Sequence, residues 1–227
     1  MNRSILDYSY RKEVAPIYKL NDILNTDNPL ETFRVLHSDI LVDKLNNLII
    51  DCTDCKTDYE KKVYYGNSNA NVMIINDSAT NNEEIIKYFN DLLKMSELDL
   101  NDIFIVNAVS CVTTRKDRND LIQRIPSRKE CNNCKCFLNQ AIKIVNPRII
   151  ISLGATALNQ FIPGSNLLEY LNTKQVFNGI PTLINYSVKD LFDLTVYKSE
   201  QEIEGISCSI LDTFNEAARY IESIKER

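Results

Sequence analysis

Short runs of nearly continuous apolar residues, rich in β-branched side chains, recur along the chain after residue 70. They cover residues 71–76, 102–109, 148–153 and 180–185. Such runs are typical of strands that are buried on both faces of a parallel sheet. The pattern therefore predicts a central, mostly parallel, four-stranded sheet.

Stretches with apolar residues at helical spacing separate these runs. We predict helices at residues 82–95, 127–145 and 155–161, an earlier helix from about 30 to 50, and a last helix from about 209 to 225. Alternating strands and helices indicate a three-layer α/β fold, in which helices cover both faces of the sheet. Residues 1–30 are polar and irregular, so we expect an N-terminal extension followed by one domain at residues 31–227.

The composition of the chain limits which class of protein it can belong to and where in the cell we expect it. The chain has 227 residues, of which 44% are hydrophobic, and this excludes a disordered protein. It has no apolar run of roughly 18 residues, and its start lacks the apolar core of a signal peptide. We therefore expect no membrane partner and a cytoplasmic location, in the host cytoplasm if the protein is viral. The net charge of −5 argues against a surface that is positive throughout, but it permits a local basic face.

Seven cysteines and a single histidine, His37, limit the chemistry that is open to the chain. A reduced compartment does not sustain disulfides, so metal ligation is the first interpretation of so many thiols. Cys52 and Cys55 form a C-x-x-C pair, and their place before the first strand disfavours a thioredoxin-like redox site. The later thiols are Cys111, Cys131, Cys134, Cys136 and Cys208. Four thiols suit Zn²⁺ or an iron–sulfur cluster, and their spacing does not separate the two.

Ligands of parallel α/β sheets bind in the loops at the carboxyl ends of the strands, and these loops carry recognisable motifs. After the C-x-x-C pair, these loops read Asn-Asp-Ser-Ala-Thr at residues 76–80 and Val-Asn-Ala-Val-Ser-Cys at residues 106–111. They continue with Leu-Gly-Ala-Thr-Ala at residues 153–157 and Tyr-Ser-Val at residues 186–188. The order of these motifs resembles that of the family 4 uracil-DNA glycosylases, the iron–sulfur branch of their superfamily. That family shares the C-x-x-C and the Leu-Gly-Ala-Thr-Ala signature, and its other three segments read Gly-Glu-Ala-Pro-Gly, Thr-Asn-x-x-Lys-Cys and Tyr-His-Pro.

The resemblance implies a [4Fe–4S] cluster with a structural role beside the DNA-binding face. The ligands that it implies are Cys52, Cys55, Cys111 and Cys131, with Cys134 as a competitor for the fourth position. Zinc is the alternative metal that the spacing leaves open.

The same resemblance indicates that the catalytic groups are degenerate. Asn107 is retained, and its carboxamide offers a donor and an acceptor to the edge of a base. Ser187 replaces the histidine that stabilises charge on the departing uracil, and loss of one such donor costs about 10²–10³ in rate. The first loop has lost its glycines and its proline, although Asp77 and Ser78 remain as candidates for placing the attacking water. The family segment that supplies an aromatic wall for uracil is expected to be missing.

We therefore expect a DNA-binding iron–sulfur protein in which uracil excision is weak or lost. One alternative is a non-catalytic DNA-binding or replication subunit, such as a processivity component or adaptor from a phage, with a replication or repair protein as its partner. Another alternative is an active DNA glycosylase with an altered base specificity.

A basic stretch between Cys111 and Cys131 is the candidate DNA-contacting surface. Its members are Arg115, Lys116, Arg118, Arg124, Arg128 and Lys129. Such a patch is suited to phosphate contacts, and a solvated charged loop is the alternative interpretation. The turn at Gly154 opens a helix whose free N–H groups suit a phosphate, or else it is a purely structural tight turn.

Overall fold

The computed structural model describes residues 29–55, 59–117, 120–192 and 198–226. Most of the predicted N-terminal extension, residues 1–28, lies outside the described residues. The helices are α1 (Pro29–Ile50), α2 (Glu83–Met95), α3 (Arg128–Val145), α4 (Ala155–Phe161) and α5 (Glu200–Lys225). The strands are β1 (Tyr65–Gly66), β2 (Val72–Asn76), β3 (Ile103–Asn107), β4 (Thr114–Asp117), β5 (Asp120–Gln123), β6 (Ile149–Leu153), β7 (Thr173–Phe177) and β8 (Ile180–Asn185).

The four predicted strands form the parallel centre of the main sheet, in the order β3-β2-β6-β8. A short strand extends this centre at each edge, since β1 pairs antiparallel with β3 and β7 pairs antiparallel with β8. The prediction of a mostly parallel α/β sheet is confirmed, and the two edge strands are additions to it. Strands β4 and β5 form a separate hairpin.

Side chains that alternate along each central strand divide the interior into two apolar layers. Met73 and Ile75 of β2 face one layer, where they pack with Leu45 of α1 and Leu138 of α3. On the opposite face of the sheet, residues of β2 and its neighbours pack against helices α2 and α5. Helices therefore cover both faces, as the sequence predicts.

Side-chain caps fix where the helices begin. The Asn82 side chain accepts hydrogen bonds from the first turn of α2, and Ser127 and Glu130 form a reciprocal capping box at the start of α3. A second capping box, at Ser199, precedes α5, which begins at Glu200, nine residues before the predicted start at 209. The prediction was wrong there because the first turns of α5 are mostly polar, so apolar periodicity appears only later along the helix.

Within the described ranges, no helix is both long and apolar enough to cross a membrane.

Candidate functional site

A cavity of about 570 Å³ lies at the carboxyl ends of β2, β3 and β8. We call this cavity the pocket. Ile85 and Phe89 of α2 form part of its apolar wall, and Asn76 and Asn107, the last residues of β2 and β3, supply amides. This is the edge of the sheet at which the sequence predicts a ligand site.

Asn107 is held at the base of the pocket by its backbone. It pairs in register with Asn76, and its carbonyl accepts a hydrogen bond from Tyr64 Oη at 3.3 Å. The residue is only 9% exposed. Within the described part of the chain its carboxamide has no hydrogen-bond partner. Its donor and its acceptor are therefore available to a ligand in the pocket.

Asp77, in the loop between β2 and α2 (residues 77–82, the first loop), is committed to a structural contact. Its Oδ1 accepts a hydrogen bond from the backbone N–H of Thr156, at 2.6 Å, and so caps α4. Burial raises the pKa of Asp77, while the hydrogen bonds from Thr156 and the charge of Lys189 oppose that rise. Asp77 therefore anchors the first loop to α4, and this arrangement disfavours it as a water-activating base.

Gly154 is the point at which the first loop, the start of α4 and the loop after β8 meet. Its φ of +93° is a conformation that residues with a side chain rarely adopt. A Cβ atom there would lie 2.7 Å from Asp77 Oδ1 and 2.8 Å from Ser187 Cβ. The hypothesis that this turn holds a phosphate is not supported, because Gly154 is buried and Asp77 occupies the N–H of Thr156. Its structural alternative, a tight turn, agrees with the contacts.

Ser187 lies at the position of the family histidine, in the loop after β8 (residues 186–192, the last loop). It is 3% exposed and lines the pocket. Its Oγ accepts a hydrogen bond from the N–H of Lys189 at 3.2 Å, and its own N–H donates to Asp190 Oδ2 at 2.8 Å. Ser187 therefore shapes the turn that follows it. His37 lies on α1 and is not among the residues that line the pocket.

Lys189 is a pocket residue that sequence reasoning missed. Its Nζ donates a hydrogen bond to Ser78 Oγ at 2.7 Å, and both residues line the pocket. Burial lowers the pKa of Lys189, whereas the charges of Asp77 and Asp190 act in the opposite direction. The signal was present in the sequence, because Lys189 stands two residues after the lost histidine in a loop at a strand end.

Aromatic side chains also reach the pocket, although the family segment that supplies one was expected to be missing. Phe89 of α2 lines it and packs edge-to-face on Phe214 of α5, with the ring centroids 6.3 Å apart. Tyr65 of β1 lines it too and is 51% exposed. The pocket therefore offers aromatic surface to the flat ring of a ligand, which the motifs did not predict.

Thiols from three parts of the chain, the segment after α1, the segment after β3 and helix α3, interact with one another. We call Cys52, Cys55, Cys111 and Cys134 the thiol corner. Cys111 and Cys134 are buried, and a hydrogen bond between their thiols lowers the pKa of Cys111 and raises that of Cys134. Cys52 and Cys55 interact electrostatically with Cys111, and Asn133 Nδ2 donates to Cys55 Sγ at 3.4 Å.

Cys131 stands one helical turn before Cys134 and has different neighbours. Burial is the main cause that raises its pKa, followed by the charges of Asp77 and Glu130. It packs against the apolar group that contains Cys111 and Cys134. The contacts thus favour Cys134, the competitor, as the partner of Cys111.

The thiol corner fits a thiolate-bound metal centre in its donor chemistry, but its side chains do not converge. Among the described residues, no group of three or more His, Cys, Asp and Glu side chains is arranged closely enough to hold a metal ion. The four thiols share electrostatic interactions, in which the hydrogen bond from Cys134 lowers the pKa of Cys111 while burial raises the pKa of Cys52 and Cys55. The corner therefore has the right donors in one neighbourhood, without their final geometry.

The basic stretch divides into exposed members and one engaged member. Arg115 and Lys116 are exposed on β4, Arg128 and Lys129 are exposed at the start of α3, and Arg118 lies outside the described residues. Arg124 is partly exposed but engaged, because its guanidinium pairs with Glu130 at 2.8 Å and also donates to Tyr59 Oη. The candidate DNA-contacting surface therefore excludes Arg124.

The hairpin formed by β4 and β5 is fastened to the first loop by one side chain. Gln123 accepts a hydrogen bond from Thr80 Oγ1 at 2.8 Å and donates one to the Ala79 carbonyl at 2.6 Å. Arg115 and Lys116 are therefore carried by an element that is attached to the rim of the pocket.

Comparison with known proteins decides the family. The model of the uracil DNA glycosylase superfamily matches residues 63–200, which is more than half of the chain. This chain belongs to the uracil DNA glycosylase superfamily. It is similar to the type-4 uracil-DNA glycosylase of Thermotoga maritima, with 36% identity over 101 residues that cover 40% of this chain and 47% of that relative. The match thus spans about half the length of the relative, and the predicted resemblance to family 4 is confirmed.

Proposed function

We propose that this superfamily member binds DNA, takes one extruded base into the pocket, and excises uracil far more slowly than relatives that retain the histidine. The observation that carries this proposal is the Asn107 carboxamide, which is buried at the end of β3 and has no partner among the described residues. An enzyme that acts on a base within DNA must extrude it and hold its hydrogen-bonding edge. Asn107 offers the donor and acceptor for that purpose.

The contacts of the first loop support weak excision. Asp77 is engaged with α4, and the Ser78 hydroxyl accepts a hydrogen bond from Lys189. Neither side chain is a free general base for the attacking water. The histidine donor is absent as well, and removal of one oriented donor costs about 10²–10³ in rate.

We also propose that Cys52, Cys55, Cys111 and Cys134 hold a [4Fe–4S] cluster. Cys134 replaces Cys131 in this proposal because its thiol is hydrogen-bonded to that of Cys111. Held by these four cysteines, such a cluster would cross-link the end of α1, the segment after β3 and α3. The chemistry of base removal remains with the residues of the pocket. Zinc is the alternative, and the visible absorbance and iron content of anaerobically purified protein distinguish the two.

An excision assay tests the function. Oligonucleotides with one uracil, single- and double-stranded, are incubated with this protein and, in parallel, with the type-4 uracil-DNA glycosylase of Thermotoga maritima. We expect abasic product from this protein to form at least about 100-fold more slowly. Asn107→Ala should lower the rate further, whereas Asn139→Ala, an exposed asparagine on α3, should not. Equal rates for this protein and the relative would contradict the loss of catalytic power.

The replication-subunit alternative rests on analogy alone. None of the contacts among the described residues favours it, and the relative reported above is a glycosylase by name. We therefore take base binding and slow excision as the function that the pocket supports best.

A further inference from the structure

Lys189 is a cation that points into the pocket without a carboxylate partner at ion-pair distance in the described part of the chain. The other lysine of the pocket lining, Lys62, has its Nζ 2.6 Å from Glu60 Oε1 in an exposed ion pair. Lys189 donates instead to a neutral hydroxyl, that of Ser78, which is 2% exposed. Among the residues that the structure describes, no carboxylate therefore neutralises its positive charge by direct contact.

The turn of the last loop fixes the direction of Lys189. Ser187 Oγ accepts from the Lys189 N–H, the Ser187 carbonyl accepts from the Asp190 N–H at 2.9 Å, and Asp190 Oδ2 accepts from the Ser187 N–H. The residue at the histidine position therefore holds the backbone from which the lysine side chain extends. A group oriented in this way has little rearrangement to make before it contacts a ligand.

The surroundings of Lys189 strengthen its electrostatic effect. Burial lowers its pKa, and Asp77 and Asp190 favour its charged form. Val188, Ile85 and Phe89 line the same cavity with apolar surface. A charge acts more strongly on a neighbouring charge in such surroundings than in bulk water.

We propose that the Lys189 ammonium is a cationic donor to the carbonyl oxygen of the departing base and takes over part of the role that the missing histidine has in related enzymes, so that excision stays slow but does not vanish. This inference rests on the proposed function. The bond between deoxyribose C1′ and base N1 breaks, and both electrons leave with the base as an anion delocalised onto its carbonyl oxygen. Water adds its oxygen to C1′, and the proton that it loses neutralises the base. Lys189 keeps its proton and stabilises the anion through a hydrogen bond.

Leaving-group sensitivity tests this role. The probes are oligonucleotides with uracil or 5-fluorouracil, since fluorine makes the departing anion more stable on its own. In single-turnover assays, Lys189→Met should slow uracil excision by about 10²–10³ and 5-fluorouracil excision by a smaller factor. The ratio of the two rates should rise in this variant. Lys189→Arg, which keeps the charge, should restore part of the uracil rate and lower the ratio again.

The control and the contrary outcomes separate this inference from the proposed function. Lys94→Met, on the exposed last turn of α2, should change neither rate. An unchanged ratio in Lys189→Met, with or without a lower rate, would overturn the role of Lys189. A second result would also overturn the role of Lys189: wild-type protein that selectively binds an uncleavable uracil analogue in DNA but excises neither uracil nor 5-fluorouracil. In that case the proposed binding of a base in the pocket would still hold. Absence of selective binding overturns the proposed function and this inference together.

Discussion

The pocket and the thiol corner lie on neighbouring parts of one scaffold, but they are completed in different ways. Polar contacts hold the loops of the pocket, since Asp77, between the lining residues Asn76 and Ser78, caps α4, and Lys189 in the lining donates to Ser78. In the thiol corner, the donors share a neighbourhood, yet no set of three among the described residues has ligating geometry. The pocket is thus formed by contacts between residues of the chain itself. We infer that the corner needs an inorganic centre to reach its final arrangement.

The largest expected effect is the loss of the cluster, which we expect when Cys134 is replaced but not when Cys131 is replaced. Cys134→Ser should abolish cluster binding, because it removes the thiol that is hydrogen-bonded to Cys111. Cys131→Ser should retain most of the iron and the visible absorbance, and Cys208→Ser, an exposed thiol on α5, should retain all of it. Iron content per chain and the absorbance spectrum of anaerobically purified variants measure this. The reverse result, with iron lost in Cys131→Ser alone, would assign the fourth ligand to Cys131.

The ion pair between Arg124 and Glu130 fastens the end of the hairpin to α3, next to the thiol corner. The hydrogen bond from Arg124 is the largest cause that lowers the pKa of Glu130, to about 2 from 4.5. Because the folded-state pKa is the lower one, this contribution is complete above about pH 4.5 and is lost as the pH falls towards 2. Glu130→Gln should therefore lower the free energy of unfolding at pH 7 by about 3 kcal/mol.

Urea denaturation at pH 7 and at pH 3 measures this difference. Glu216→Gln, an exposed position on α5, should change stability by less than about 0.5 kcal/mol. The stability gap between Glu130→Gln and the wild type should narrow at the lower pH. A gap of the same size at both values would show that the ion pair is not its source.

A smaller effect is expected where the loops of the pocket meet. Gly154→Ala adds a Cβ that collides with Asp77 Oδ1 and Ser187 Cβ, at a positive φ that alanine rarely adopts. We expect a loss of about 1–3 kcal/mol in the free energy of unfolding. Gly205→Ala, in the open on α5, is the matched control and should be neutral or slightly stabilising. Thermal unfolding of both variants checks this. Equal midpoints for Gly154→Ala and Gly205→Ala would show that Gly154 is not required for the packing of the loops around the pocket.

The smallest effect concerns DNA contact outside the pocket. Arg115→Ser together with Lys116→Ser should weaken binding to DNA uniformly across sequences and reduce its salt dependence, because both side chains are exposed on the hairpin. We expect roughly a tenfold lower affinity at moderate salt. Equilibrium binding over a salt series measures it, with Lys174→Ser on β7, an edge strand of the main sheet, as the control. An unchanged salt slope would discard the hairpin as a DNA-contacting surface.

The central strands were predictable because their burial on both faces requires continuous apolar sequence, as in the Ile149–Leu153 strand, β6. The edge strand β7 was not, since Lys174 and Val176 alternate outward and its sequence is largely polar. Strand β1 has two residues, too few for any periodicity. Local pattern therefore identifies the sheet centre, whereas edge strands depend on pairing with distant residues.

The sequence motifs predicted which loops form the site, but they did not predict the contacts that these loops make. Cys131 and Cys134 are three residues apart on one helix, so spacing alone leaves both near the same face. Lys189 was not predicted because the Tyr-His-Pro motif covers residues 186–188 and ends one residue before it. The engagement of Asp77 with α4 depends on a partner 79 residues away, and no local pattern records it.

Selective binding of a uracil nucleotide in DNA tests the central claim most directly. Duplexes that carry 2′-fluoro-2′-deoxyuridine, which resists cleavage, or an apolar 2,4-difluorophenyl deoxyriboside, which has the shape of uracil but lacks its hydrogen-bonding edge, are compared at equilibrium, each opposite an abasic site. We predict at least about tenfold tighter binding of the uracil duplex, as expected for two hydrogen bonds to a base edge, and loss of this preference in Asn107→Ala. Equal affinity for both duplexes in the wild type, or a preference that persists without the Asn107 carboxamide, would contradict the account.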